Sequence, residues 1–169
     1  MRRWRPRRDA GYWAEQEETR AKVISTFKKL RKLGFLARAN FTCCSSCGGY
    51  EITEMAAERI SKGKKQDAIK GCVFWHRQDE DTFKQCGVLY LRYGDMESTE
   101  LGKIGLPTQE GGRIIERELR AAGINLVEWN GSGSACIVVH SHLDTFKEAM
   151  ERPIQWGLEW VFGGDSQDA

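Results

Sequence analysis

Long apolar runs are missing from this 169-residue chain. None approaches the roughly 18 to 20 residues that a membrane-spanning helix requires, so no span is expected. The arginine-rich start MRRWRPRR is not followed by the apolar segment of a signal peptide, and the expected location is the cytoplasm. Repeats at solenoid periods are absent as well. So are the GxGxxG and Walker loops that cradle phosphates, and the GxSxG elbow of serine hydrolases. No catalytic motif stands in their place, which leaves open whether the protein is an enzyme.

Histidine is scarce at three, and none follows position 142. Proline is equally scarce. Net charge is only +2, but it is unevenly spread. Residues 1–34 hold 11 Lys/Arg against 4 Asp/Glu, whereas the remaining chain holds 15 against 20. The basic character is therefore N-terminal, and Arg2, Arg3, Arg5, Arg7 and Arg8 are candidate phosphate contacts, with Trp4, Tyr12 and Trp13 able to stack on bases. The competing reading is a solubilising tail, or one that docks on the acidic body of the same chain.

What is present is the pattern of an α+β protein, a mixed or antiparallel sheet with helices packed on one face. Residues 1–12 read as a basic arm. Val23, Ile24, Phe27 and Leu30 recur at helical spacing within 13–33, and Gly34 is a plausible stop. FLARAN (35–40), AIKGCVFWH (68–76) and GVLYLRYG (87–94) read as strands, the second buried on both faces. A short helix is expected after Gly49, ending near Gly63, and a turn or two of helix in DEDTFKQC. STELGKIGLPTQEGG reads as a surface loop that leads into a helix from Pro107 to Ala122. INLVEW and ACIVVH around NGSGS read as a hairpin, since Asn-Gly supplies the positive φ of a tight turn. The domain is placed at 13–144, followed over 145–163 by a short helix and the alternating stretch IQWGLEWVF, and over 164–169 by a disordered tail. Trp156 and Trp160 on that stretch are candidate contacts for a protein partner or a dimer.

NFTCCSSCGG carries the chemistry. Six cysteines fall at 43, 44, 47, 72, 86 and 136 in a chain large enough to fold without bridges, so reduced thiols or metal ligands are the better reading. Cys44 and Cys47 have the two-residue gap that lets two thiolates reach one zinc ion at about 2.3 Å, and Gly48 allows the tight turn of a metal knuckle. Two ligands are half a site, and no second CxxC or CxxH exists. Cys72 and His76 lie about 13 Å apart along a strand, so at most one can join, and His76 is favoured, with Gln78 and Asp79 as supporting partners. The fourth ligand would be Cys43, Cys86 or a water, and neighbouring Cys43 and Cys44 bind one ion only with strain.

The same pair also reads as a redox dithiol, or as a cysteine nucleophile with His76. Gly48 and Gly49 count against a dithiol, because glycines would interrupt the helix start that lowers a thiol pKa. A purely structural cysteine cluster, in a structural or viral-type interaction protein, is the third reading. HSHLD adds His140, His142 and Asp144 at alternate positions, a weak metal candidate for want of later histidines.

RANFTCCSSCGGYEI, GCVFWHRQD, GVLYLRYGD and AAGINLVEWNGSGSACIVV together resemble an uncharacterised bacterial family with F-T-C-C-x-x-C-G, H-x-Q-D and V-E-W-x-G blocks. The resemblance covers about residues 33–140, leaves out the arginine arm and the tryptophan-rich tail, and supplies no activity. It implies that Cys43, Cys44, Cys47, His76, Gln78 and Asp79 form the polar site. The resulting expectation is a small zinc-binding module that engages a protein or nucleic acid in a binding or regulatory role.

Overall fold

The computed structural model describes residues 8–151. Helix α1 (Ala10–Lys32) starts three residues sooner than the periodicity indicates, because the Asp9 side chain accepts from the Tyr12 N–H and caps it. Residues 10–12 of the expected arm thus belong to the helix, and Tyr12 is buried. The chain then runs through β1 (Phe35–Arg38), α2 (Ser45–Ser61), β2 (Gly71–Phe74), α3 (Arg77–Cys86) and β3 (Val88–Gly94). It continues as β4 (Met96–Ser98), β5 (Gly102–Ile104), α4 (Thr108–Ala121), β6 (Val127–Glu128), β7 (Ile137–His140) and α5 (Leu143–Glu151).

Five strands form a mixed sheet in the order β1-β2-β3-β7-β6. β1 and β2 are parallel, joined through α2, and the other pairings are antiparallel. Strand alternation divides the core in two. Phe35, Ala37, Val73 and Trp75 pack with Phe27 and Leu30 of α1 and Ile115 and Leu119 of α4. Leu36, Cys72 and Phe74 turn to the opposite side, against Ile52 and Ala56 of α2 and against Met96 and Ile104. β2 is buried on both faces as its unbroken apolar run predicts. The α+β expectation holds, with α2 as a helix on the second face at the β1–β2 end of the sheet.

Several local expectations change. The stretch read as a surface loop contains β5, which pairs antiparallel with β4 at its start, because Met96 and Ile104 have a core to enter. The predicted hairpin pairs Val127 with Val139 but has only a two-residue first strand, and residues 129–136 form a longer connection than a two-residue turn. There Tyr93 donates its hydroxyl to the Ser132 carbonyl, and the Trp129 indole N–H lies against Ser132 O at 3.2 Å, so side chains take over from ladder bonds. DEDTFKQC is part of a ten-residue helix, and α5 starts at Leu143, inside the stretch assigned to the domain. The alternating stretch with Trp156 and Trp160, and residues 1–7 with Arg2, Arg3, Arg5 and Arg7, lie outside the described residues.

Between sheet and helices, fully buried Trp75 donates its indole N–H to Glu80 Oε2 at 2.7 Å, and Glu80 Oε1 meets Arg20 Nε at 3.0 Å. A buried carboxylate without such partners would cost several kcal/mol, so these contacts offset its desolvation. The network fixes α3, and with it the chain just after β2, against α1.

Candidate metal centre

The cysteines follow β1 in a loop tied to the β2–α3 connection. Phe41 N–H donates to the Trp75 carbonyl at 2.8 Å, and Arg77 N–H to the Thr42 carbonyl at 3.1 Å. To turn between these ties the backbone takes positive φ at Asn40 (47°) and Thr42 (63°). Asparagine tolerates that region; a β-branched threonine does so only under strain, on the order of 1–3 kcal/mol.

Helix α2 begins at Ser45, well before the two glycines, with extended Cys44 as its N-cap. Gly48 N–H donates to the Cys44 carbonyl at 3.0 Å, so the CxxC motif occupies the first turn and the glycines continue the helix rather than interrupting it. Gly48 is required by packing and not by a knuckle turn: a Cβ there would strike the Phe74 ring, 2.9 Å from Cζ, and lie 3.1 Å from Thr42 Oγ1. Contrary to expectation, the glycines leave the helix start at the CxxC motif intact and so do not count against a dithiol.

The three sulfurs of Cys43, Cys44 and Cys47 lie within 4.8 Å of one another, a group that can hold a metal ion. Cys43 Sγ and Cys44 Sγ are 3.7 Å apart. Thiolates at about 2.3 Å around a tetrahedral ion are about 3.8 Å from each other, so this edge already has the right length. Cys43 and Cys47 are exposed and Cys44 half-buried. The Cys47 N–H at the open end of α2, helped by the Cys47 and Cys43 side chains and the Ser46 N–H, holds the Cys44 thiol below its ordinary pKa. Cys47 is pushed up to about 11, chiefly by the Cys44 side chain and then by Cys43. One thiolate of the pair is favoured at the other's expense.

His76 does not join this group among the described residues. It is the N-cap of α3: Nδ1 accepts from the Asp79 N–H at 3.4 Å, while Asp79 Oδ2 accepts from the His76 N–H at 3.2 Å. Its ring is buried, and burial, then the Arg92 charge, lowers its pKa to about 4. A neutral ring with a free Nδ1 lone pair is what the cap needs. Asp79 serves His76 and Arg92, whose Nη2 lies 3.4 Å from Oδ1, rather than the thiols. Gln78 is exposed. Arg92 also donates through Nη1 to Cys136 Sγ at 3.1 Å, completing a half-buried polar group that sequence reasoning missed. The signal was available, since Arg92 is the one charge inside the apolar run of β3.

The remaining candidates go elsewhere. Cys72 is buried in the smaller core, its thiol pushed up to about 12 by burial, and Cys86 donates to the Thr82 carbonyl. His140 lies between Glu128 and Thr145, and His142 stacks on Tyr12 with ring centroids 3.7 Å apart. Asp144 is exposed, so HSHLD splits into separate packing roles because a strand ends and a helix begins within it. Arg8 donates to the Gln85 carbonyl at the C-terminal end of α3, a favourable place for a cation.

The neutral His76 has a pH signature. Its imidazole titrates near 6.5 when unfolded and near 4 in the folded protein. Its stabilisation is therefore whole above about pH 6.5 and is lost as pH falls towards 4, because in that window the unfolded chain binds the proton and the folded one does not. The loss is on the order of 3 kcal/mol. Asp79 acts in the opposite sense, since burial raises its carboxyl pKa and the folded state takes up that proton more readily. His76→Asn keeps a capping acceptor and removes the titration. Urea midpoints measured from about pH 7 to about pH 4 should fall more steeply for wild type than for His76→Asn, and parallel curves would refute the assignment.

A family model described as Domain of unknown function (DUF6891) matches residues 2–144. The match takes in the N-terminal arginines that the resemblance over 33–140 left outside. No curated protein and no solved structure matches the chain. Among the described residues no helix is long and apolar enough to cross a membrane.

Proposed function

The chain belongs to that family of domains of unknown function, and from this premise we propose that it is a metal-binding module whose ion is held by the thiolates of Cys43, Cys44 and Cys47. The observation that carries the reading is the convergence of three sulfurs within 4.8 Å at the end of a strained loop. Zinc is the ion of choice, because all-thiolate sets suit it and the 3.7 Å sulfur edge matches its tetrahedron. With no fourth protein ligand among the described residues, the last position falls to water or to a group from a partner. Elemental analysis of purified protein, with thiol titration before and after a chelator, tests this. About one zinc per chain, with three thiols unmasked as it leaves, is the expected result. No metal, with all three thiols titrating at once, refutes it.

A second reading is favoured by one observation, the place of Cys44 as N-cap with its thiol pKa lowered. In metal-free protein the Cys44 thiolate would attack a substrate disulfide and displace one substrate thiolate. Cys47 would then attack the mixed disulfide, leaving a Cys44–Cys47 bridge and a substrate reduced by two electrons and two protons. Its mark is fast alkylation of Cys44 alone by iodoacetamide well below pH 8, and equal slow labelling of all three cysteines counts against it.

A further inference from the structure

A second site lies away from the cysteines, where the last turns of α1 and α2 meet the outer edge of β1. An open cavity of about 260 Å³ there is lined by Arg31, Leu36, Ala37, Arg38, Ala39 and Arg59. Its three arginines come from three different elements, α1, β1 and α2, so their meeting at one cavity is a product of the fold and not of a basic run in sequence.

Like Arg8, Arg77 and Arg113, the cavity arginines have no ion-pair partner among the described residues, but only these three come together. Arg20, Arg92, Arg117 and Arg120 each pair with a carboxylate. Arg31, Arg38 and Arg59 have no carboxylate within 4.0 Å among the described residues. Arg31 instead donates to the Ala37 carbonyl at 3.0 Å, which covers the free edge of β1. Arg38 reaches Met55 Sδ at 3.7 Å and lies 5.9 Å from the Phe41 ring centroid. These are weak holds for full charges, and they keep the side chains in place without neutralising them.

We propose that this arginine-lined cavity binds a compact phosphate-type dianion or trianion carried on a small molecule, such as a phosphate monoester or a pyrophosphate group. Three unneutralised guanidinium groups around a small cavity call for several negative charges in a small volume. A phosphate centre supplies these together with oxygens spaced for the arginine fork, whereas a carboxylate brings one charge at a time. Because the edge carbonyl of Ala37 is already taken by Arg31, strand addition by an extended peptide is disfavoured. At about 260 Å³ the cavity falls just below the usual range of ligand-site volumes, which fits a headgroup rather than a whole cofactor.

The test is titration calorimetry of the full chain with pyrophosphate, against sodium chloride of matched ionic strength. Saturable one-to-one binding is expected, weakened about tenfold or more by Arg38→Gln or Arg59→Gln and less by Arg38→Lys, which keeps the charge but loses the fork. Both side chains are exposed, so circular dichroism and the urea midpoint should not move. Three outcomes overturn the proposal. One is the absence of saturation above the chloride control. Another is equal affinity in the Gln variants. The third is tight binding of a single-stranded oligonucleotide that needs the same arginines and is not displaced by pyrophosphate.

Discussion

Cys44→Ser is expected to strip the protein of metal while leaving it at least as stable as metal-free wild type. Loss of a supporting partner around a metal typically lowers affinity about 10–100-fold, and loss of a thiolate ligand from a set of three should exceed the upper figure. The fold is spared because residue 44 is the N-cap of α2, and serine is among the best residues there, supplying a hydroxyl to the first-turn amides. Metal-free Cys44→Ser should therefore match or exceed metal-free wild type by about 0.5–1 kcal/mol in urea unfolding. Cys86→Ser, at a thiol that donates to the Thr82 carbonyl and takes no part in the cluster, should keep its metal. Zinc retained at one equivalent in Cys44→Ser would remove the three-thiolate site from consideration. Zinc lost together with the fold would mean that the ion holds the loop and α2 together, a larger structural role than the exposed thiols indicate.

The paired glycines should respond in opposite directions to the same substitution. Alanine is a better helix former than glycine by about 0.8–1 kcal/mol, and Gly49→Ala meets no atom within 4 Å, so it should stabilise by about that amount. Gly48→Ala gains the same propensity but drives its Cβ into the Phe74 ring and towards Thr42 Oγ1. Phe74 is buried against Leu36, Ile52 and Met96 and cannot retreat without disturbing that core. Overpacking of this kind costs about 1–3 kcal/mol. A net loss is expected, with weaker metal binding as Thr42 and the cysteine loop are pushed aside. Urea midpoints of the two variants decide the matter, and a stabilised Gly48→Ala would show that the approach to Phe74 is not tight.

Much of the scaffold was legible from local pattern. Val23, Phe27 and Leu30 mark one face of α1, and the unbroken apolar run around Cys72–Phe74 marks a strand with a core on either side. Each is a periodicity that the finished fold leaves intact. The start of α2 was hidden because two glycines lower local helix propensity, and only the ring of Phe74, some 26 positions away, explains why no larger residue stands at 48. β4 and β5 were hidden because three-residue strands carry too little pattern, and their burial against α2 is what holds them.

The site divides along the same line. By itself the sequence determined that three cysteines within five positions must be close, because so short a stretch of chain cannot separate them far. The tertiary structure decided which residues stay out. His76 lies next to the loop in backbone terms, through the Arg77 to Thr42 hydrogen bond, yet its ring is taken by the N-terminus of α3, which leaves N–H groups that need an acceptor. The structure likewise made Cys44 an N-cap and brought Arg31, Arg38 and Arg59 to one cavity, since both depend on where helices end against the sheet. Short-range spacing is a property of the covalent chain, whereas ring orientation, thiol acidity and the meeting of distant charges follow only from how its elements pack.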